Sequence, residues 1–220
     1  MTRTASPLMD RRRRLIAIAK LLRRSRPSPR VELDHHSPWE LLVATILSAQ
    51  CTDERVNRVT PSLFRRYPTA EHLGMAQLPD VERLIRSTGF FKSKAKNIIA
   101  CSRAVAEQFE GNVPAVMDLL VSLPGVGRKT ANVVLGNAFH KPAVVVDTHV
   151  KRVANRLGLS NSDDPNKIET DLQRLLPPSC WTEVSQRLLL HGRYVCLARR
   201  PACTKCPIHA LCPWKGKGTA

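Results

Sequence analysis

Leu123-Pro124-Gly125-Val126-Gly127-Arg128-Lys129-Thr130-Ala131 lies between two segments of helical periodicity, 117–121 and 129–139. Its two glycines, one residue apart, permit a tight turn with exposed backbone, so the segment about 117–136 reads as a helical hairpin. The Gly125 and Gly127 amides are expected to point outward at the amino end of the second helix. Such amides, together with the helix dipole, bind a phosphate without reading sequence. Arg128 and Lys129 add positive charge at the same place. Gly-x-Gly alone is also an ordinary helix–helix turn. Framed by Leu-Pro before and Arg-Lys-Thr-Ala after, it is considerably more specific.

Working outward, helix signals recur and strand signals hardly appear. Ser37-Pro38-Trp39-Glu40 is a capping box with Pro at the first helical position, opening an apolar helix to about Ala49. Thr52-Asp53-Glu54 starts another, with Val56, Val59 and Leu63 on one stripe and Pro61 expected to bend it or begin a new helix. Val81, Leu84 and Ile85 mark a short helix after Pro79, and Ser93 opens a long one burying Ile98, Val105 and Phe109. Asp164-Pro165 caps a further helix, and 180–191 is the last long one. Only 143–146 looks like a strand, and it has no partner. The expected fold is all-α.

The chain has 220 residues, and 43% of them are hydrophobic, enough to bury real cores and to exclude a disordered basic tail. No apolar run approaches the roughly 20 residues needed to span a bilayer. Residues 1–30 carry ten Lys/Arg and one acid, residues 184–220 carry seven and none, and the formal net charge is +17. A near-neutral body with basic ends suits a polyanion. Solvated basic tails around an ordinary surface would give the same count. Arg11–Arg14 before Leu15-Ile16-Ala17-Ile18-Ala19 mimics a signal peptide, but Lys20 cuts the apolar run to five residues. Leu15, Ile18, Ala19 and Leu22 fit an amphipathic helix instead, and the chain is expected in the cytoplasm.

Two further constellations carry chemistry. Lys129 falls in the first turn of its helix, where the dipole opposes a cation and favours the neutral, nucleophilic amine. Asp147 ends Val144-Val145-Val146 and precedes Thr148-His149-Val150, an N-cap position where backbone amides pin a carboxylate. Taken alone, Lys129 reads better as a mere phosphate contact and Asp147 as a mere cap. The second constellation is Cys196-x6-Cys203-x2-Cys206-x5-Cys212, in a Pro-rich, acid-free tail. Its spacing admits an iron–sulfur cluster or a single zinc, and two disulfides only in an oxidising compartment. Cys51, Cys101 and Cys180 are scattered and read as small buried hydrophobes.

Together these residues resemble the endonuclease III family, bifunctional DNA glycosylases of the helix-hairpin-helix superfamily, from about Ser37 to Cys212. The matching segments are Leu47-Ser48-Ala49-Gln50, Ser93-Lys94-Ala95, 123–132, Val146-Asp147-Thr148-His149, His191-Gly192-Arg193 and the four cysteines. The resemblance implies two helical domains flanking a DNA cleft: a six-helix barrel domain over 31–141, and a discontinuous iron–sulfur domain of 1–30 with 142–220. It implies a [4Fe-4S] cluster on Cys196, Cys203, Cys206 and Cys212 in a loop over 196–212. It also implies Lys129 as the nucleophile at C1′ and Asp147 as the carboxylate that stabilises the sugar cation. DNA would be contacted by Gln50, Phe90, Gly125, Gly127, Arg128, His149 and Arg193, with Gln50 filling the gap and Phe90 or Phe91 wedging into the stack. For Phe91, core packing is an equal expectation.

The implied function is excision of oxidised pyrimidines from double-stranded DNA and cutting 3′ to the abasic site by β-elimination. The protein would be a monomer associated with the nucleoid. Cys51, Phe90 and His140 depart from the family, which more often has a small residue, an aliphatic wedge and Gly there. Two other functions remain: a monofunctional mismatch glycosylase, which would leave intact abasic strands, and a non-catalytic DNA-binding module with a structural metal. Lys129 argues against the first, since relatives acting on mismatched bases lack it.

Overall fold

The computed structural model describes residues 7–218. Among them the chain forms α1 (Pro7–Ser25), α2 (Pro38–Leu47), α3 (Asp53–Arg66), α4 (Ala70–Gly74), α5 (Leu78–Ile85), α6 (Phe91–Phe109), α7 (Met117–Val121), α8 (Arg128–Asn137), α9 (Thr148–Arg156), α10 (Pro165–Leu175) and α11 (Trp181–Tyr194). Single 3-10 turns fill several junctions, and no strand occurs among the described residues. None of these helices is long and apolar enough to cross a membrane. The chain divides into two compact units, one of Val31–Lys141 and one of the described residues in Met1–Arg30 and Pro142–Ala220.

In the Val31–Lys141 unit, α2 is buried on every side, with Trp39 and each residue from Leu41 to Leu47 out of solvent. A helix apolar all round belongs at the centre of a core, and α3, α6 and α8 pack on it. Its start is the expected one, with Ser37 Oγ accepting the Glu40 N–H at 3.1 Å. Glu40, however, reaches back to the His36 N–H rather than to that of Ser37. Trp39 Nε1 donates to the buried Ser102 hydroxyl on α6 at 3.1 Å, so the indole brings its polar atom into the core satisfied. α3 buries Val56, Val59 and Leu63 and runs unbroken through Pro61, which neither ends it nor starts a new helix. α4, which the sequence pattern did not announce, packs on α6. A Cβ on Gly74 would lie 2.9 Å from the Arg103 Cα, and Arg103 donates to the Gly74 carbonyl through Nε and Nη2. At the end of α8, His140 takes a left-handed conformation (φ 52°), the backbone reason a glycine is comfortable at that position.

In the other unit, Leu15, Ile18 and Leu22 of α1 are buried in one cluster with Val150 and Val153 of α9, Ile168 and Leu172 of α10, and Leu188 of α11. Each such side chain contributes about 1.5–3 kcal/mol by leaving water. Arg187 of α11 is buried and donates to the Arg26 and Pro27 carbonyls at 3.0 and 2.8 Å, while pairing with Glu183. A single guanidinium thereby fastens the chain leaving α1 to a helix about 160 residues away in sequence. α9 and α11 meet at Gly192, where a Cβ would come within 3.0 Å of His149 and Val153.

The strand-like run 143–146 is not a strand. Its side chains are buried, but the Ala143 and Val145 amides donate to Thr182 Oγ1 and Ser185 Oγ of α11 at 3.2 and 3.4 Å. The hydroxyls of one helix thus take the place of a neighbouring strand, which satisfies the buried amides without a sheet.

Candidate active site

The hairpin joins α7 to α8 and is anchored by its apolar residues. Leu123 and Val126 are buried, and the Val126 N–H returns to the Leu123 carbonyl at 3.1 Å. Gly125 has φ +75°, and a Cβ there would stand 2.8 Å from the Asn97 Cβ on α6, so conformation and space both demand glycine. Gly127 differs. Its φ is −92° and nothing lies within 4 Å of an added Cβ. It is the N-cap of α8 and offers no capping side chain, so the amide end of a ten-residue helix opens beside an exposed glycine. Backbone donors, a helix dipole and empty space together make a place for an anion.

Lys129 is the second residue of α8 and is exposed, as is Arg128 before it. Asp147, in the other unit, is the N-cap of α9. Its Oδ1 accepts the N–H groups of His149 and Val150 at 2.9 and 2.8 Å. This use of one oxygen fixes the carboxylate rigidly. Two residues on, His149 Nδ1 receives an N–H from Arg152 Nη2 at 3.2 Å. A guanidinium only donates, so the neutral ring carries its proton on Nε2, as a donor suited to phosphate. Arg193, in the last turn of α11, is half-buried.

Gln50 and Phe90 share an unusual backbone. Both are exposed, and both are left-handed without being glycine, with φ 51° and 48°. Such residues cost backbone energy and cluster where side chains must be presented to a ligand. Phe90 is 67% exposed, the large apolar ring most open in its loop, whereas Phe91 begins α6 half-buried. Of the two rings named from the sequence, Phe90 is the one displayed.

Cys196, Cys203, Cys206 and Cys212 line a single cavity with the apolar Val153, Leu157 and Ile208. All seven cysteines are free thiols in this structure. Among the described residues no three His, Cys, Asp or Glu side chains are placed to hold one metal ion. Sulfur donors arranged around a shared apolar space suit a soft metal centre. Two arginines of α9 anchor the loop. Arg152 donates to the Cys196 carbonyl at 3.0 Å and to the Gly192 carbonyl at 2.7 Å. Arg156 donates to Cys196 Sγ at 3.3 Å and to the Leu197 and Ala198 carbonyls, with its guanidinium 4.0 Å from the Trp214 ring centre. Sequence reasoning did not single these arginines out, although their i, i+4 spacing places both on one face of α9. Of the remaining thiols only Cys101 is a buried hydrophobe, and burial pushes it up to about 12; Cys51 and Cys180 are half-exposed.

A family model described as "HhH-GPD superfamily base excision DNA repair protein" matches residues 43–178. The Synechocystis sp. endonuclease III is 51% identical over 207 residues, which cover 94% of this chain and 94% of that protein. A solved non-covalent endonuclease III–DNA complex superposes with a TM-score of 0.88 at 40% identity, over 92% of this chain and 95% of that one. A trapped endonuclease III–DNA covalent intermediate superposes with a TM-score of 0.87 at the same identity and coverage.

Proposed function

The chain belongs to the endonuclease III branch of the HhH-GPD superfamily of base excision repair proteins, a DNA glycosylase and abasic-site lyase, and we propose that Lys129 and Asp147 carry its chemistry. The observation that carries this is an exposed primary amine in the first turn of α8, beside an uncapped helix end built to grip phosphate. The Gly127 turn and Arg128 hold the strand near a damaged nucleotide turned out of the duplex. Lys129 Nζ attacks C1′, the C1′–N bond breaks, and the base leaves with the bonding pair and a proton. The fixed Asp147 carboxylate offsets the positive charge that develops on the sugar and takes a proton from Nζ once the neutral amine has bonded to C1′. Ring opening leaves a Schiff base between Nζ and C1′. Loss of a C2′ proton then expels the 3′ phosphate by β-elimination, and water releases the lysine. Substrates in this reading are oxidised pyrimidines and abasic sites in double-stranded DNA. Gln50 fills the vacated position, Phe90 wedges into the stack, and His149 and Arg193 bind backbone phosphates.

Cys196, Cys203, Cys206 and Cys212 are the residues that would hold a [4Fe-4S] cluster. Their all-sulfur donor set and apolar cavity fit one. When bound, it supplies metal–thiolate bonds that close the basic loop over 196–212 into a fixed shape. Arg152 and Arg156 hold the same loop from the protein side.

Borohydride added during reaction with abasic or thymine-glycol duplex tests the lysine. The wild type is expected to form a covalent adduct mapping to Lys129, and Lys129→Ala to lose trapping and strand cleavage while still binding DNA. Intact abasic strands from wild type would instead point to a monofunctional glycosylase, and binding with no chemistry to a DNA-binding module. A brown preparation containing iron and acid-labile sulfide supports the cluster, and a colourless zinc protein refutes it.

A further inference from the structure

Lys94 is 5% exposed, although it lies in the first turn of α6, where the helix dipole repels a cation. Lysine is almost never buried without a strong partner, because its ammonium must be compensated for lost water. Here Nζ donates to the Thr88 carbonyl at 2.8 Å, a charge-assisted bond made out of solvent. Burial pushes the Lys94 pKa below its usual value, and the nearby Cys51, which follows Gln50, acts on it in the opposite sense.

The carbonyl that Lys94 grips begins the turn Thr88-Gly89-Phe90. Thr88 is itself buried, and its hydroxyl donates to the Ile85 carbonyl at 2.8 Å. The next two residues are both left-handed, Gly89 at φ 70° and Phe90 at φ 48°. The Phe90 carbonyl then accepts the Lys94 N–H at 3.0 Å. One residue therefore holds both ends of a strained turn, by its ammonium at Thr88 and its amide at Phe90. The side chain raised on that turn is a phenyl ring left 67% in solvent.

We propose that Lys94 is a positioning residue, its buried ammonium bracing the Thr88-Gly89-Phe90 turn so that the Phe90 ring is held ready to enter a base stack. This rests on the reading of Phe90 as a DNA wedge. A left-handed non-glycine residue relaxes when nothing over-determines it, and a ring that relaxes must be reordered at each encounter. The brace removes that ordering cost before DNA arrives. It serves only where there is a stack to enter, so it matters for duplex and not for single-stranded substrates.

The test compares Lys94→Met, which keeps the length and apolar stem but loses the donor, with wild type, Phe90→Ala and the double variant. A lost buried charge-assisted bond predicts about a tenfold or greater fall in kcat/KM on a thymine-glycol duplex. Cleavage of a single-stranded abasic oligonucleotide is expected within about twofold of wild type, since Lys129 and Asp147 are untouched. In the Phe90→Ala background, Lys94→Met should add nothing further. 2-Aminopurine beside the lesion should brighten on wild-type binding, and less with Lys94→Met. Gly89→Ala strains the same turn with nothing within 4 Å of the new methyl, and gives the same duplex-specific loss if Lys94→Met does not fold. Equal losses on both substrates, or full additivity with Phe90→Ala, would overturn the brace while leaving the lysine chemistry intact. Phe90→Ala at wild-type duplex rates would overturn the wedge and the brace together. Failure of wild-type borohydride trapping would strike only the Lys129 mechanism.

Discussion

Asp147 caps α9 and, in the proposed reaction, also offsets the sugar cation, and one conservative substitution separates the two. Its Oδ1 receives the His149 and Val150 amides at 2.9 and 2.8 Å and caps α9. An asparagine keeps an oxygen in that position and ranks with aspartate as an N-cap, so Asp147→Asn is expected to melt within a degree or two of wild type. Asp147→Ala leaves both amides uncapped, which costs about 1–2 kcal/mol and lowers Tm by about 2–8 °C in a chain this size. The charge is a separate quantity. Removing a carboxylate that offsets a developing sugar cation slows the glycosylase step about 10²–10⁴-fold, or about 3–5 kcal/mol of barrier. Single-turnover excision from a thymine-glycol duplex, run beside thermal unfolding, reads both. The expected pattern is Asn stable and slow, Ala less stable and slow. An Asn variant excising within a few-fold of wild type would remove the carboxylate from the chemistry. An Asn variant melting as low as Ala would refute the cap.

The two hairpin glycines should separate cleanly. Gly125→Ala puts a methyl 2.8 Å from the Asn97 Cβ at φ +75° and is expected to cost about 2–4 kcal/mol in a urea melt. Gly127→Ala meets nothing but replaces the α8 N-cap, so it should cost only about 0.5–1 kcal/mol while weakening binding to an uncleavable abasic-site duplex; equal melts would show that the close approach to Asn97 does not matter. Cys101 gives a pH signature. Its folded pKa is raised from 9.0 to about 12 by burial, so the folded state holds the proton longer than the unfolded one. The stability this confers is whole below pH 9 and is lost as pH climbs towards 12. The difference in unfolding free energy between wild type and Cys101→Ala should therefore shift against wild type across that window, and a constant difference from pH 7 to 11 would contradict it.

Most helices were legible because their signals are short-range. Ser37 and Pro38, Asp164 and Pro165, and the 3.6-residue spacing of Leu15, Ile18 and Leu22 act within a turn or two of themselves, and each helix formed where they stand. α6 shows the boundary of that method. Its start at Phe91, ahead of Ser93, comes from the left-handed turn at Gly89 and Phe90, which no side-chain cap announces. Lys129, Asp147 and the four cysteines stand out as candidates through their motifs and the family resemblance those motifs carry. Lys94, Arg152 and Arg156 do not, since a basic residue on a helix reads as solvated until its partner is seen.

The sequence alone determined an all-helical chain, the hairpin at Gly125 and Gly127, and the residue types able to attack a sugar or bind a soft metal. Periodicity, capping and glycine conformation are local quantities, already set by neighbours in the chain. Only the tertiary structure decided that 143–146 gives its amides to the α11 hydroxyls instead of a strand, that Arg187 fastens the segment after α1, and that Lys94 is buried under the Phe90 turn. Those outcomes depend on which polar group from elsewhere in the sequence arrives to satisfy a buried donor or acceptor. No spacing along the chain encodes that meeting.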